Sequence, residues 1–170
     1  VFNGEIYNHV EIKRELIADG YQVRDGSDAE IIPHAYQKWG MNFPGHFNGD
    51  FAIAIFDKTK NQWVLARDRL GIKPLYYTRT NQGLLFGSEV KSIFCQPSVK
   101  RSLNPRFLNQ LFTFWTGIDG GSPFSGIHQV EAGTAITLNP AGEVTGRLKY
   151  WDIPYKNTVP NYSGDFKSCQ

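Results

Sequence analysis

The sequence predicts an α+β fold, with helices flanking antiparallel strands. Two stretches near the N-terminus, 8–20 and 27–40, have apolar residues at helical spacing. From residue 48 the pattern changes to period two and to near-continuous apolar runs, which are typical of strands. Short turn-forming segments separate these runs, so neighbouring strands are expected to be antiparallel. Together these patterns indicate a layered α+β domain.

The first predicted helix begins beside Asn8. Asn8 followed three residues later by Glu11 has the form of a capping box, in which the two side chains satisfy free main-chain N–H groups. Ile12 and Leu16 then give an apolar face, and Gly20 ends the helix.

The second predicted helix follows a short predicted strand at 21–24. Ser27 is expected to cap this helix, with Glu30 as its capping-box partner, and the helix should reach Gly40. Pro33 falls inside it and removes one main-chain donor, so we expect a kink or a late start.

The middle of the chain predicts a meander of four strands, at 51–56, 63–66, 75–77 and 84–86. The first run is apolar at every position, which indicates a strand buried on both faces. After these strands we expect a short helix beyond Ser88, a helix from Asn104 to about Trp115, a loop at 117–126, and a closing hairpin of 135–138 with 144–150.

Composition narrows the class of protein. The 170 residues suit one globular domain, and 12 Phe, 8 Tyr and 4 Trp argue against disorder. The 18 basic and 16 acidic residues are spread along the chain without a basic stripe, so we expect no nucleic-acid partner. No apolar run approaches the roughly 20 residues that span a bilayer, and we expect no membrane partner and a cytoplasmic location.

The two cysteines, Cys95 and Cys169, have no spacing typical of a metal site or a disulfide framework. The four histidines are dispersed as well. We therefore predict no metal site, and we interpret both thiols as structural or incidental.

The N-terminal residues carry the first candidate for chemistry. The chain begins Val-Phe-Asn-Gly-Glu, without Met, as though a strand had been cut partway, so we expect the true start to lie upstream. The Asn3 amide and the Gly4 N–H are two neutral donors of the kind that stabilise an oxyanion. Taken alone, however, these residues favour an ordinary turn.

Two carboxylates form the second candidate. Asp28 lies in the first turn of the second predicted helix, where the helix dipole stabilises a carboxylate whatever its function. The functional alternative is that Asp28 and Glu5 face one pocket and hold a substrate ammonium group.

Several separated stretches together resemble the glutaminase domain of asparagine synthetases. They are Asn3-Gly4-Glu5-Ile6-Tyr7-Asn8, Gly26-Ser27-Asp28, the run from Gly49 to Asp57, the run from Arg67 to Tyr77, and Gly87-Ser88-Glu89-Val90-Lys91-Ser92. The stretches 124–133 and 150–152 resemble the end of that domain. The resemblance covers the chain to about residue 153.

This resemblance implies a class II glutamine amidotransferase with the four-layer αββα sandwich of N-terminal-nucleophile hydrolases, incomplete at the N-terminus. It implies a partial domain at 1–153 and a linker at 154–170 toward a synthetase domain. In the family, an N-terminal cysteine attacks the glutamine amide, and its own α-amine can serve as the base. Carried onto this chain, Asn3 and Gly4 would be the oxyanion donors, and Glu5 and Asp28 would hold the amino-acid end of glutamine.

The same resemblance sets expectations for activity. The family nucleophile would precede Val1, and the internal Cys95 has no free α-amine, so we expect the isolated chain to be inactive. The full-length protein would use the released ammonia for ATP-dependent amidation of aspartate, with ATP and Mg in the synthetase domain and no cofactor in this part. Uncovered sheet edges also predict a homodimer or a strand added by a neighbour.

Two alternatives for the function stay open. The chain could be a non-catalytic module of a related synthetase, or the glutaminase of an amidotransferase that acts on a sugar phosphate or a phosphoribosyl substrate. The stretches 71–77 and 150–152 favour the asparagine-synthetase type.

We interpret Arg67-Asp68-Arg69 as mainly structural, because alternating charges more often form a satisfied network than a catalytic site.

Overall fold

The computed structural model describes residues 1–24, 26–118 and 120–154. The helices are α1 (His9–Ala18), α2 (Asp28–Trp39), a 3-10 helix (Gly40–His46), α3 (Val90–Ile93) and α4 (Pro105–Phe114). The strands are β1 (Phe2–Ile6), β2 (Gly49–Asp57), β3 (Gln62–Arg67), β4 (Tyr76–Thr80), β5 (Gly83–Gly87), β6 (His128–Gln129), β7 (Thr134–Leu138) and β8 (Val144–Lys149).

Two antiparallel sheets form the body of the domain. The larger sheet has the order β1-β2-β3-β7-β8, and the smaller has the order β5-β4-β6. One apolar core lies between the larger sheet and helices α1 and α2, and a second lies between the two sheets. Helix α3 packs against β4 and β5. The predicted α+β layering is therefore confirmed.

Strand β2 is buried on both faces, as predicted. Phe51 and Ile53 contribute to the core beneath the helices, while Ala52 and Ala54 contribute to the core between the sheets. Successive side chains of a strand point to opposite faces, so this one strand joins the two cores. Its alanines are short enough to let the second sheet pack closely on this face.

The predicted four-stranded meander is wrong. Strands β2 and β3 form a hairpin in the larger sheet, whereas β4 and β5 form one in the smaller sheet. Strand β7 takes the place beside β3, in antiparallel register from Trp63↔Leu138 to Ala66↔Ala135. The chain leaves the larger sheet in the loop 68–75, which connects β3 to β4 and is held by its own hydrogen bonds, among them a turn in which the N–H of Gly71 donates to the carbonyl oxygen of Asp68 (3.2 Å).

Asp68 organises that loop from a buried position, with 1% of its surface exposed. Its Oδ1 accepts the N–H groups of Leu70 (3.1 Å) and Ile72 (2.9 Å). Its Oδ2 accepts the N–H groups of Lys73 (2.9 Å) and Phe51 (3.3 Å). A buried carboxylate is stable when several main-chain donors satisfy it, and here they come from both the loop and β2.

The Arg67 guanidinium is satisfied by carbonyl oxygens on both sides of the loop. It donates to Lys73 (2.8 Å), Val130 (2.9 Å) and Gly71 (2.6 Å). Burial lowers the pKa of this guanidinium. The hydroxyl of Tyr150 donates to the Arg67 carbonyl oxygen, which ties the end of β8 to β3. For Arg67 and Asp68 the structural interpretation is confirmed, because their partners are main-chain groups.

Neither predicted capping box holds at the N-terminal helices. Asn8 occupies the N-cap position of α1 but makes no side-chain cap bond. Instead its Nδ2 donates to the carbonyl oxygen of His46 (3.0 Å), and its Oδ1 accepts the N–H of Asn48 (2.8 Å). Asn8 therefore joins the β1–α1 turn to the segment before β2, a contact about 40 residues away that no local rule predicts.

The segment around α2 differs from prediction in the same way. Ser27 is the N-cap but makes no side-chain cap bond, and Glu30 accepts the N–H of Arg24 (2.8 Å). Residues 21–24 are not a strand. The N–H of Tyr21 donates to the carbonyl oxygen of Leu16 in α1 (3.0 Å), and the N–H of Arg24 is the one bound by Glu30 of α2. Helix α2 begins at Asp28 and continues through Pro33, so the expected late start is wrong, while the end before Gly40 is confirmed.

In the second half of the domain, the predicted short helix beyond Ser88, the helix that follows Asn104 and the closing hairpin are confirmed. Asn104 caps α4 by accepting the N–H of Phe107 (3.3 Å), and Trp115 ends that helix in the left-handed conformation. Strands β7 and β8 form the closing hairpin. Of the predicted linker, 155–170 lies outside the described residues. In the ranges that the structure describes, every helix falls short of the length and apolar character that crossing a membrane requires.

Replacing Asp68 with Asn tests whether its charge organises the 68–75 loop. We expect the free energy of unfolding of the purified chain to fall by about 2–3 kcal/mol, because the amide nitrogen cannot accept the N–H groups that the lost oxygen accepted. Urea unfolding measures this, with an unchanged slope. Asp152→Asn is the control, since that exposed carboxylate accepts only a local N–H and a lysine. Equal losses from both variants would contradict the assignment.

Replacing Asn8 with Ala and with Ser separates capping from the long-range bonds. Both variants lose the contacts to His46 and Asn48, so both should lower the free energy of unfolding, each by about 1–2 kcal/mol. If Asn8 acted mainly as a helix cap, Ser would restore stability, because Ser caps helices as well as Asn does. Chemical denaturation of the three proteins decides between the two roles.

Candidate functional site

The candidate residues gather along β1, which is an edge strand of the larger sheet. Val1 exchanges two hydrogen bonds with Ala54, and the N–H of Tyr7 donates to the carbonyl oxygen of Asn48. Antiparallel pairs alternate between bonded and non-bonded positions, so the odd-numbered residues of β1 bond to β2. The N–H groups of Gly4 and Ile6 therefore point away from β2, toward the free edge.

Gly4 is required by the close approach of β1 to β2. Its φ of +142° lies in a region that L-residues rarely adopt. A Cβ at this position would lie 1.9 Å from the carbonyl oxygen of Asp50. Any other residue would push the two strands apart. The outward-pointing N–H at position 4 therefore requires glycine.

The Asn3 side chain projects from the face of β1 that is turned toward the second sheet. Its Nδ2 donates to the hydroxyl oxygen of Ser88 at 3.0 Å. Both residues line a cavity of about 120 Å³ whose other walls are mainly apolar, formed by Val1, Ala52, Ala54, Leu75, Phe86 and Gly87. The Asn3 carboxamide thus lies where the end of β5 meets the edge of the larger sheet.

Asp28 reaches the same edge from the helical layer. As the first residue of α2, it lies at the positive end of the helix dipole. Its Oδ2 accepts the N–H of Ile6 at 3.1 Å, which is one of the outward-pointing donors of β1. Among the described residues, its second oxygen has no hydrogen-bond partner. Asp28 therefore both closes part of the edge and keeps an acceptor available.

Glu5 is exposed and lies on the opposite face of the sheet from the helices. It pairs across the strands with Asp50, which accepts the hydroxyl of Tyr7 at 2.8 Å. This hydrogen bond to a carboxylate raises the pKa of the Tyr7 phenol above its ordinary value. Glu5 and Asp50 give this face two neighbouring negative charges, which favour a cationic ligand.

The four predicted site residues thus come together along one strand edge, though from different sides. Asn3 and Gly4 are adjacent donors, and Asp28 binds β1 two residues beyond Gly4. Glu5 and Asp28 approach that edge from opposite faces of the sheet. The lining of the cavity beside Asn3 includes neither of them among the described residues.

Sequence reasoning assigned no role to Ser88, Tyr7 or Asp50. Ser88 was part of a stretch that resembles the family, but its contact with Asn3 spans 85 residues. The only local signal was its position at the end of a predicted strand, where polar side chains often serve a site.

In the described ranges, no cluster of three or more His, Cys, Asp or Glu side chains could hold a metal ion.

Comparisons with known proteins identify the family of this chain. The family model of a glutamine amidotransferase domain matches residues 1–151. Asparagine synthetase [glutamine-hydrolyzing] 3 of Bacillus subtilis (strain 168) is 36% identical over 99% of this chain and 28% of that protein. Amidase chyE of Penicillium rubens is 35% identical over 94% of this chain and 23% of that protein. The chain spans about a quarter of the length of the curated relatives it matches.

A solved structure with a similar fold is the glutamine phosphoribosylpyrophosphate amidotransferase of B. subtilis. Its TM-score is 0.62 at 18% identity, over 89% of this chain and 28% of that chain. At this identity the likeness shows the fold, and the predicted N-terminal-nucleophile type of sandwich is confirmed. This chain therefore belongs to the glutamine amidotransferase domain family, of the kind found in asparagine-synthetase-like proteins.

Proposed function

We propose that this chain forms the glutamine site of a glutamine-dependent asparagine synthetase. In the full-length protein, glutamine is hydrolysed to glutamate and ammonia, and the ammonia serves the ATP-dependent amidation of aspartate. The observation that carries the proposal is the pair of adjacent donors at the free edge of β1, the Asn3 carboxamide and the Gly4 N–H, with the Asp28 carboxylate bound two residues further along.

The two donors suit the charge that develops during amide hydrolysis. Attack on the glutamine amide carbon places negative charge on its oxygen, and fixed neutral donors stabilise that charge. Gly4 supplies a donor that is fixed by the backbone and by close packing against Asp50. Asn3 supplies a side-chain donor from the neighbouring residue. Both are neutral, so they favour the transition state over the uncharged amide.

The carboxylates suit the other end of the substrate. Glutamine carries an α-ammonium group, and acceptors on Glu5 and Asp28 would bind it. With respect to the described residues, Asp28 retains an oxygen without a partner after binding Ile6, and Glu5 is exposed beside Asp50. Their arrival from opposite faces of the sheet supports a ligand that crosses the strand edge between them.

The proposal does not assign the role of nucleophile to Cys95. Cys95 is exposed and its thiol contacts the carbonyl oxygen of Lys91, four residues before it. As an internal residue it has no α-amine to act as its base. In the proposal, the nucleophile is an N-terminal cysteine, and the isolated chain binds glutamine without hydrolysing it.

The partner of this domain, in the proposal, is a synthetase domain that binds ATP and Mg. The similarity to asparagine synthetases over almost the whole chain supports it. The similarity to an amidase favours a second candidate, in which the same glutamine site serves another acceptor. Product analysis of the full-length protein with glutamine, ATP and aspartate distinguishes these two.

Asn3→Ala and Asp28→Asn in the full-length protein should affect different kinetic constants. Loss of the Asn3 donor should lower kcat for ammonia release from glutamine by about 100- to 1,000-fold with little change in KM. Asp28→Asn keeps an oxygen for the Ile6 N–H but loses charge, so it should mainly raise KM. A coupled assay for glutamate measures both. If neither variant changes glutamine hydrolysis, the proposed site is wrong.

We also propose that the isolated chain forms a homodimer through the free edge of β1, in competition with glutamine for the Gly4 N–H. An exposed edge strand offers unpaired main-chain groups to a second strand. Light scattering on the purified chain should give twice the monomer mass, and replacing Phe2 with Pro should return it to one, because proline removes an edge donor. A monomer at all tested concentrations would exclude the dimer.

A further inference from the structure

The Asn3 carboxamide needs a device that fixes its direction. Its side chain is exposed on an edge strand, and the terminal torsion of asparagine has a broad energy profile. A donor contributes fully to an oxyanion hole only when it is already aimed at the oxygen. Without a hydrogen-bond partner, the Asn3 amide would populate several orientations, and only some of them point an N–H at the oxyanion.

Ser88 is placed to fix that direction. Its hydroxyl oxygen accepts one N–H of the Asn3 amide at 3.0 Å. The amide group is planar and carries two N–H bonds at a fixed angle, so holding one bond sets the direction of the other. The second N–H then remains available for a substrate oxygen.

The main chain on both sides of Ser88 is held by the elements around it. The preceding Gly87 pairs with Tyr76 at the end of the β4–β5 ladder. A Cβ on Gly87 would lie 2.4 Å from the hydroxyl oxygen of Ser92, so the end of β5 packs directly on α3. The Ser92 hydroxyl donates to the carbonyl oxygen of Glu89 (2.7 Å), which fixes the turn between them. Through its hydrogen bond with Asn3, Ser88 thus connects the Asn3 side chain on the first sheet to the end of β5 on the second sheet.

We propose that Ser88 is a positioning residue, which orients the Asn3 carboxamide for the oxyanion and does not itself touch the reacting atoms. This inference rests on the proposed function of Asn3. It makes the second sheet, and not only β1, part of the catalytic apparatus.

The test compares variants of the full-length protein in glutamine hydrolysis. Ser88→Ala should lower kcat about 2- to 12-fold, the range that the loss of one hydrogen bond gives, with KM unchanged. Ser88→Thr keeps the hydroxyl and should retain more activity than Ser88→Val, which has the same shape without it. Ser125→Ala is the matched control, because that hydroxyl donates to the carbonyl oxygen of Leu103 and belongs neither to the Asn3 contact nor to the turn that supports Ser88.

A double-mutant cycle isolates the route through Asn3. In an Asn3→Ala background, Ser88→Ala should cause no further loss of kcat, since the group it positions is gone. Amidation with ammonium supplied directly should be equal in all variants, which shows that each one is folded. An undiminished loss in the Asn3→Ala background, or equal rates for the Thr and Val variants, overturns the inference. If Asn3→Ala alone has no effect, the proposed function fails instead.

Discussion

The register of β1 against β2 is the constraint on which the site depends. Asn3 lies opposite Ala52 and Gly4 lies opposite Phe51. This register turns the Gly4 N–H outward and directs the Asn3 side chain toward the second sheet. A slip of one residue would exchange the two faces and would place the Asn3 amide among the helices. The chemistry of the edge therefore follows from one strand pairing.

That register is fixed by burial rather than by the polar residues themselves. On the helical face Ile6 is buried together with Phe51, so β1 cannot slide without exposing an apolar side chain. On the other face the alanines of β2 leave room for the second sheet to approach. At Gly4 the close contact with Asp50 excludes other residues. Packing thus determines the position at which two hydrogen-bond donors meet solvent.

Features that depend on residues close together in the sequence could be predicted, and features that depend on distant residues could not. The apolar run of β2, the cap of α4 by Asn104 and the closing hairpin are local or periodic patterns, and they were predicted. The capping roles of Asn8 and Glu30 were wrong, because each side chain found a main-chain group outside its own first turn. The division of the strands between two sheets also escaped prediction, since it depends on the loop that Asp68 holds and on β7, about 70 residues after β3.

The candidate site shows the same limit at the scale of single residues. Asn3, Gly4 and Glu5 are consecutive, so one motif identifies them together. Ser88 is 85 residues from Asn3, and only the folded arrangement of the two sheets makes them neighbours.

Asp28 shows that the two interpretations of one carboxylate need not compete. The dipole of α2 favours its charge, and its bond to Ile6 anchors that helix to the edge of β1. Within the part of the chain that the structure describes, these same contacts satisfy only one of its two oxygens. A carboxylate that made no other contacts would lose more side-chain conformational entropy on binding an ammonium group. In the proposed function, its structural role is therefore the reason that it suits the ammonium group of glutamine.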